Sequence, residues 1–189
     1  MAIIVYFGAG FWVWRRMRGE YEDEEILKLE MILGLVVVAG WIAFRTWGVV
    51  GAGLLVLGWW CRKKEWSFWE WMDVMMPAGL AGGAIVGLNW VWVVGVGMVW
   101  LVGRTYRRWK WYRSGRAGLV GLVAVMFVAG GEIAVAKGSG YNLYWGDLEL
   151  SQWIGIWTVV AAAVAVYLRA GRKVTEDLKM RWQKLQKKA

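Results

Sequence analysis

The sequence predicts an all-α membrane protein with seven transmembrane helices. Hydrophobic residues form 59% of the 189-residue chain, and there is one proline. The 18 tryptophans are far more than a soluble domain of this size carries, and tryptophan is enriched where membranes meet water. Apolar runs bounded by charges or turn residues fall at residues 1–14, 26–44, 47–61, 66–88, 90–102, 117–136 and 150–168.

The first, third and fifth runs are shorter than the roughly 20 residues that a bilayer crossing needs. We therefore expect local thinning of the bilayer, or shielding by neighbouring helices, around these three helices. The first run is expected to remain in the mature chain, because no basic segment precedes "MAIIVYFGAGFWVW" and the arginines follow it.

The fourth and fifth runs allow two arrangements. Either "LNW" at 88–90 is the turn of a hairpin, or "WSFWEWMDVMMP" lies in the interface and one long helix spans 78–102. The hairpin places all but two of the 23 lysines and arginines on one face, with Arg45 and Lys137 on the other. By the positive-inside rule the crowded face is cytoplasmic, so the N-terminus lies outside and the C-terminus inside. The long helix would leave six cations outside, and the hairpin is therefore favoured.

Two basic segments belong to the cytoplasmic face. "GRTYRRWKWYRSGR" at 103–116 mixes cations and aromatic rings, as a nucleic-acid patch does, but this mixture is also typical of the headgroup region. We expect no nucleic-acid partner. Residues 173–189 predict a basic amphipathic tail helix on the cytoplasmic membrane surface, following a membrane core at 1–172.

Cysteine and histidine usage limits the chemistry. The chain has one cysteine, Cys61, and no histidine. An intramolecular disulfide is excluded, and the usual zinc and haem ligand sets are missing. We expect no metal and no cofactor.

The order of the segments over roughly residues 4–172 resembles the prolipoprotein diacylglyceryl transferase family. These seven-span bacterial enzymes move diacylglycerol from phosphatidylglycerol onto a lipoprotein cysteine. "LKLEMILGLVVVAGWIAF" is similar to the family's second span, and residues 48–90 are similar to its third and fourth spans, with Asp73 and a glycine-rich run ending at Asn89. "GRAGLVGLVAVMFVAGGE" resembles the penultimate span with its functional glutamate, here Glu132, and "LSQWIGI" resembles the start of the last. The resemblance implies a multi-pass protein of the bacterial cytoplasmic (inner) membrane with phospholipid as its ligand.

Most of the family's functional side chains are replaced here. The histidine and three arginines of the family correspond to apolar or uncharged residues, and the two outer insertions are missing. The positions are Thr46 or Trp47 for the histidine, and Ile85 or Val86, Val128 and Val38 for the arginines. These departures predict a catalytically reduced relative that binds phospholipid or serves as a subunit of a membrane assembly with other membrane proteins. The alternative is an active transferase with a rebuilt site, for which Glu132 is the catalytic candidate.

The remaining charges predict a phosphate site at the outer end. Glu132 is the one carboxylate in the run 117–136, and a charge at the bilayer centre costs roughly 2.5–3.5 kcal/mol on insertion scales. A partner would remove most of this cost. Arg45, Lys137 and Asn89 are the candidates for binding the phosphate of an anionic phospholipid beside Glu132. Snorkelling explains Arg45 and Lys137 equally well, because both lie at ends of spans.

Asp73 and Glu30 are the predicted buried polar residues within the spans. Asp73, about two turns into its helix, is expected to form an interhelical hydrogen bond. A transporter or channel is disfavoured, because no run combines several polar groups on one face.

Overall fold

Among the residues that the structure describes, the fold is all-α apart from one pair of two-residue strands. The computed structural model of the chain describes residues 2–87, 90–112, 114–135, 144–145 and 148–171. The helices are α1 (Ala2–Met17), α2 (Asp23–Lys64), α3 (Phe68–Gly87), α4 (Trp90–Thr105), α5 (Leu119–Val135) and α6 (Leu150–Arg169). A single 3-10 turn, Tyr106–Arg108, follows α4, and strands β1 (Tyr144–Trp145) and β2 (Leu148–Glu149) pair antiparallel before α6.

The element α2 folds back on itself. The Lys64 Nζ atom lies 2.8 Å from the Glu25 Oε2 atom, although a straight helix would separate these residues by about 58 Å. Ile26 and Leu57 also belong to one buried cluster. The two halves of α2 therefore run antiparallel, and the chain reverses near the middle of the element, where the predicted runs 26–44 and 47–61 meet.

Helix α3 lies at the centre of the fold. It packs against α1, α4 and α5, and α5 packs in turn against α4 and α6. The largest buried cluster joins α1, both ends of α2 and the first half of α3 around Trp71, whose side chain is fully buried. A second cluster of Leu80, Val99 and Ala124 joins α3, α4 and α5.

The fourth and fifth runs form two helices, as the hairpin interpretation requires. Helix α3 ends at Gly87, α4 begins at Trp90, and the two pack against each other. Residues 88 and 89 lie outside the described part of the chain, as does the predicted tail helix 173–189.

The expectation of seven membrane-spanning helices is not supported. Among the described residues, Leu150–Arg169 is the one helix that is both long and apolar enough to cross a bilayer, while Leu119–Ala134 is apolar but shorter. The physical reason is that some helices are too short to cross a bilayer and another carries charged residues. Helices α1 and α4 have 16 residues each and span about 24 Å, and α3 carries Glu70, Asp73 and several glycines.

Candidate functional site

Glu132 makes contact with the second half of α2. Its partly buried carboxylate accepts a hydrogen bond from the Thr46 hydroxyl, so the side chain is directed toward a neighbouring helix. Lys137, Asn89 and the side chain of Arg45 lie outside the described residues. The predicted phosphate site around Glu132 therefore remains a prediction.

A second polar cluster lies where α5 ends and α6 begins. Gln152 Nε2 donates to the Ile133 carbonyl at 3.1 Å, which satisfies an acceptor in the last turn of α5. Glu149 N donates to Gln152 Oε1 at 3.0 Å, and Ser151 Oγ donates to Glu149 Oε2 at 3.3 Å. Glu149 and Ser151 are 4% and 0% exposed. The sequence analysis did not single these residues out, although Glu149 and Gln152 have the spacing of a capping box.

Asp73 caps the N-terminus of α5. Its Oδ2 atom accepts from Gly118 N at 2.6 Å, and its Oδ1 atom accepts from Gly121 N at 2.7 Å. These N–H groups are among those that a helix leaves without an internal partner, and a carboxylate there also interacts favourably with the helix dipole. The carboxylate of α3 thus fixes the beginning of α5.

Close packing accompanies this cap. A Cβ atom on Gly121 would lie 2.6 Å from the Met72 carbonyl oxygen. Gly118 has φ +108°, and a Cβ atom there would lie 2.6 Å from the Trp69 ring. Two glycines therefore allow α5 to approach α3 closely enough for Asp73 to reach its backbone.

Arg169 joins the same region to α6. Its Nε atom donates to the Ala117 carbonyl at 2.7 Å, and its guanidinium lies 4.0 Å above the Trp69 ring. The Ser114 hydroxyl donates to the Arg169 carbonyl. These contacts fasten the segment before α5 to the last turn of α6, which is a structural role.

Glu30 belongs to α2, and its side chain lies against α1. Its Oε2 atom approaches the backbone of Gly10, where a Cβ atom would be 3.1 Å away, and the Tyr6 hydroxyl donates to the Glu30 carbonyl. The Glu30 Oε1 atom is buried without a hydrogen-bond partner among the described residues. The titratable neighbour of Glu30 that the structure describes is therefore the Tyr6 hydroxyl.

A groove of about 1230 Å³ with a shape suited to a ligand lies over α3, flanked by α1 and α4. We call it the α3 groove. Each helix contributes one face at helical spacing, and the floor from Glu70 to Ile85 is about 22 Å long. The lining residues are Val5, Gly8, Ala9, Trp12 and Arg16 of α1; Glu70, Asp73, Val74, Pro77, Ala78, Ala81, Gly82 and Ile85 of α3; and Val96, Val99, Trp100, Gly103 and Arg104 of α4, with Met17, Glu20, Tyr106, Arg107, Gly115, Ala117 and Val120 at one end.

The α3 groove is apolar along most of its length and charged at one end. The charged end is formed by Arg16, Arg104 and Arg107 together with Glu20 and Glu70, beside the Asp73 cap. The other end is lined by aliphatic residues and glycines. Its volume exceeds the roughly 300–1,000 Å³ of typical small-molecule pockets.

Aromatic groups contact two of the groove arginines, Arg104 and Arg107. The Arg104 guanidinium lies 4.0 Å above the Trp100 ring, and Arg107 Nε donates to the Tyr106 hydroxyl at 3.5 Å. Within the part of the chain that the structure describes, the salt bridges join lysines 28 and 64 to glutamates 24 and 25. No described carboxylate therefore neutralises Arg16, Arg104 or Arg107.

Glu70 is held in place by a tyrosine from the α1–α2 connection. The Tyr21 hydroxyl donates to Glu70 Oε2 at 3.1 Å, and the Tyr21 ring packs against Trp66 and Trp71 at centroid distances of 4.6 and 5.4 Å. Burial, followed by the contact with Glu70, raises the pKa of Tyr21 to about 12. The phenol therefore remains a donor to Glu70 throughout the neutral range.

This contact gives a titration prediction. The stability that Tyr21 contributes is fully present below pH 10, its ordinary pKa, and is lost as pH rises through about 12. We expect Glu70→Gln to shift the Tyr21 titration down toward, but not to, pH 10, because burial is the larger cause. Tyrosinate absorbance checks this, with Tyr21→Phe in both backgrounds identifying Tyr21 among the seven tyrosines. An unchanged midpoint in Glu70→Gln would contradict the contact.

The α3 groove was not predicted from the sequence. The arginines near residues 16 and 104 were expected on the cytoplasmic face, and the glycine-rich run ending at Asn89 was noted only as part of the family resemblance. The signal was the common spacing of small residues on α1 and α3, with an arginine ending the same faces of α1 and α4.

Comparisons with family models, with curated proteins and with solved structures find no match for this chain. Among the described residues there is also no group of three or more histidine, cysteine, aspartate or glutamate side chains arranged to bind a metal ion. The function is therefore inferred from the groove and from the sequence.

Proposed function

We propose that the protein is a polytopic membrane protein that binds a phospholipid in the α3 groove. The phosphate lies among Arg16, Arg104 and Arg107, and an acyl chain follows the apolar floor of α3. The observation that carries this proposal is the combination, in one groove, of three arginines without a described carboxylate partner and an apolar floor that runs about 16 Å from Val74 to Ile85. Guanidinium groups bind phosphate oxygens well, because they present several donors in a plane.

The exposed surface supports a membrane location. Only 17% of the apolar window in Leu150–Arg169 is buried, which is unlike the core helix of a soluble protein. Large apolar side chains are exposed on other helices too, among them Phe7, Leu35 and Trp90. A hydrocarbon environment accommodates such a surface, whereas water does not.

The orientation follows from the charge distribution. The charged end of the α3 groove lies at the end of the fold with the basic turn Arg62–Lys64 and the segment before α5. By the positive-inside rule this end faces the cytoplasm of a bacterial cell, so the groove takes its lipid from the cytoplasmic leaflet of the inner membrane. The resemblance to the prolipoprotein diacylglyceryl transferase family supports a lipid ligand, and the replaced histidine and arginines support a catalytically reduced protein.

The test measures phospholipid that copurifies with the protein in mild detergent. We expect Arg16→Gln/Arg104→Gln/Arg107→Gln to lose at least about tenfold of the bound phospholipid, because each arginine near a headgroup contributes about 1 kcal/mol. The matched control, Arg15→Gln/Arg108→Gln/Lys110→Gln, removes the same charge from exposed positions that do not line the groove and should retain its lipid.

The apolar floor is tested separately. We expect Ala81→Phe to lower lipid content without a change in charge, since the new ring occupies the acyl-chain path. Quantitative mass spectrometry of extracted lipid measures all three variants. Equal lipid in the groove and control triple variants would overturn the proposal and indicate that lipid is held by overall surface charge.

A further inference from the structure

The charged end of the α3 groove carries both signs of charge. Three arginines face the groove together with Glu20, Glu70 and Asp73. Both Asp73 oxygens accept backbone hydrogen bonds from the start of α5, so Asp73 already has protein partners. Glu20 and Glu70 remain. A headgroup with only negative charge would bring no positive group to bind these two carboxylates.

Neither glutamate forms a salt bridge within the part of the chain that the structure describes. Glu20 lies four residues after Arg16, a spacing that often allows an ion pair, yet neither glutamate forms a salt bridge with a described residue. Glu70 accepts one hydrogen bond, from Tyr21 to its Oε2 atom. Tyr21 carries no charge at neutral pH, so it orients the carboxylate without compensating it.

We infer that the α3 groove selects a phospholipid with a primary amine in its headgroup, of the phosphatidylethanolamine type. This inference rests on the proposed lipid-binding function. The phosphate of the headgroup binds Arg16, Arg104 and Arg107, and the ammonium binds Glu20 and Glu70. A zwitterion with its charges a few bonds apart matches a groove end where both signs of charge occur without a salt bridge among the described residues.

The chemistry of the amine separates the candidate headgroups. A primary ammonium offers three N–H donors for carboxylate oxygens. The choline group of phosphatidylcholine has the same charge but no N–H donor. It is therefore attracted to the carboxylates by charge alone, without a hydrogen bond. The glycerol group of phosphatidylglycerol has no positive charge to offset Glu20 and Glu70. The expected order of affinity is therefore ethanolamine over choline and glycerol.

The test uses the full-length protein in detergent with three phospholipids that have the same acyl chains and carry ethanolamine, choline or glycerol headgroups. Native mass spectrometry of equimolar mixtures measures the bound fraction of each. We expect the ethanolamine lipid to be preferred by roughly tenfold, and Glu20→Gln/Glu70→Gln to lower the bound fraction of this lipid to that of the choline lipid. Glu22→Gln/Glu65→Gln, which changes exposed carboxylates outside the groove, should keep it.

The outcomes separate this inference from the proposed function. Lipid that binds with no ethanolamine preference, or a preference that survives in Glu20→Gln/Glu70→Gln, overturns the headgroup assignment and leaves the lipid site standing. Lipid content that does not respond to the groove arginines overturns the proposed function itself. Tyr21→Phe gives a milder test of positioning, because it frees Glu70 without changing charge, and a reduced preference with unchanged total lipid is expected.

Discussion

Replacing Gly121 by alanine is expected to destabilise the protein, although alanine is the better helix former. A Cβ atom at this position would lie 2.6 Å from the Met72 carbonyl oxygen, which belongs to the backbone of α3 and has no rotamer to change. The two helices must therefore separate, which also lengthens the Asp73 hydrogen bonds to α5. Overpacking of this kind costs about 1–3 kcal/mol, and loss of the cap adds to it.

Gly130 is the matched control, because it lies in the same helix with no atom within 4 Å of the position of a Cβ atom. Gly130→Ala should be neutral or stabilising by up to about 1 kcal/mol, the helix propensity gain. Unfolding midpoints in mixed micelles, followed by circular dichroism, measure both variants. Shifts of the same sign and size would show that α3 and α5 do not approach as closely as the structure has them.

The helices could be predicted from the sequence because each apolar run ends in charges or turn residues. The run 66–88 corresponds to Phe68–Gly87, and 150–168 corresponds to Leu150–Arg169. The reversal within α2 agrees with the separate predicted runs 26–44 and 47–61. An apolar run does not by itself predict a membrane crossing, because a crossing helix must be both long enough and apolar enough. Among the described helices, α6 meets both requirements.

The candidate sites depended on information that the sequence does not contain. Tyr21 and Glu70 are 49 positions apart, and their contact exists only because α1 packs beside the beginning of α3. The α3 groove requires the rotation of three helices about their axes, which helical spacing alone does not determine. Glu132 could be selected from the sequence, since a lone carboxylate in an apolar run needs a partner, but its contact with Thr46 depends on the fold of α2.

Replacing Asp73 by alanine is expected to be the most destabilising single change of a polar residue among those described. The variant leaves the N–H groups of Gly118 and Gly121 without their acceptor in a closely packed interface between α3 and α5. Hydrogen bonds to a charged group contribute about 1.5–3 kcal/mol each in favourable settings, so the loss of two is expected to cost at least about 3 kcal/mol. Asp73→Asn keeps one acceptor oxygen and should fall between alanine and the wild type.

Asp23 provides the comparison for this effect. It also accepts a side-chain hydrogen bond, from Trp14 Nε1 at 3.1 Å, but it is exposed and water replaces the lost partner. Asp23→Ala should therefore change the unfolding free energy by less than about 0.5 kcal/mol. The same micelle unfolding assay measures both, and hydrogen exchange adds a local readout, since the first turn of α5 should lose protection in Asp73→Ala alone. Equal effects of the two alanine variants would show that Asp73 does not cap α5, and the close α3–α5 approach would then have to be held by packing at Gly121 and Gly118.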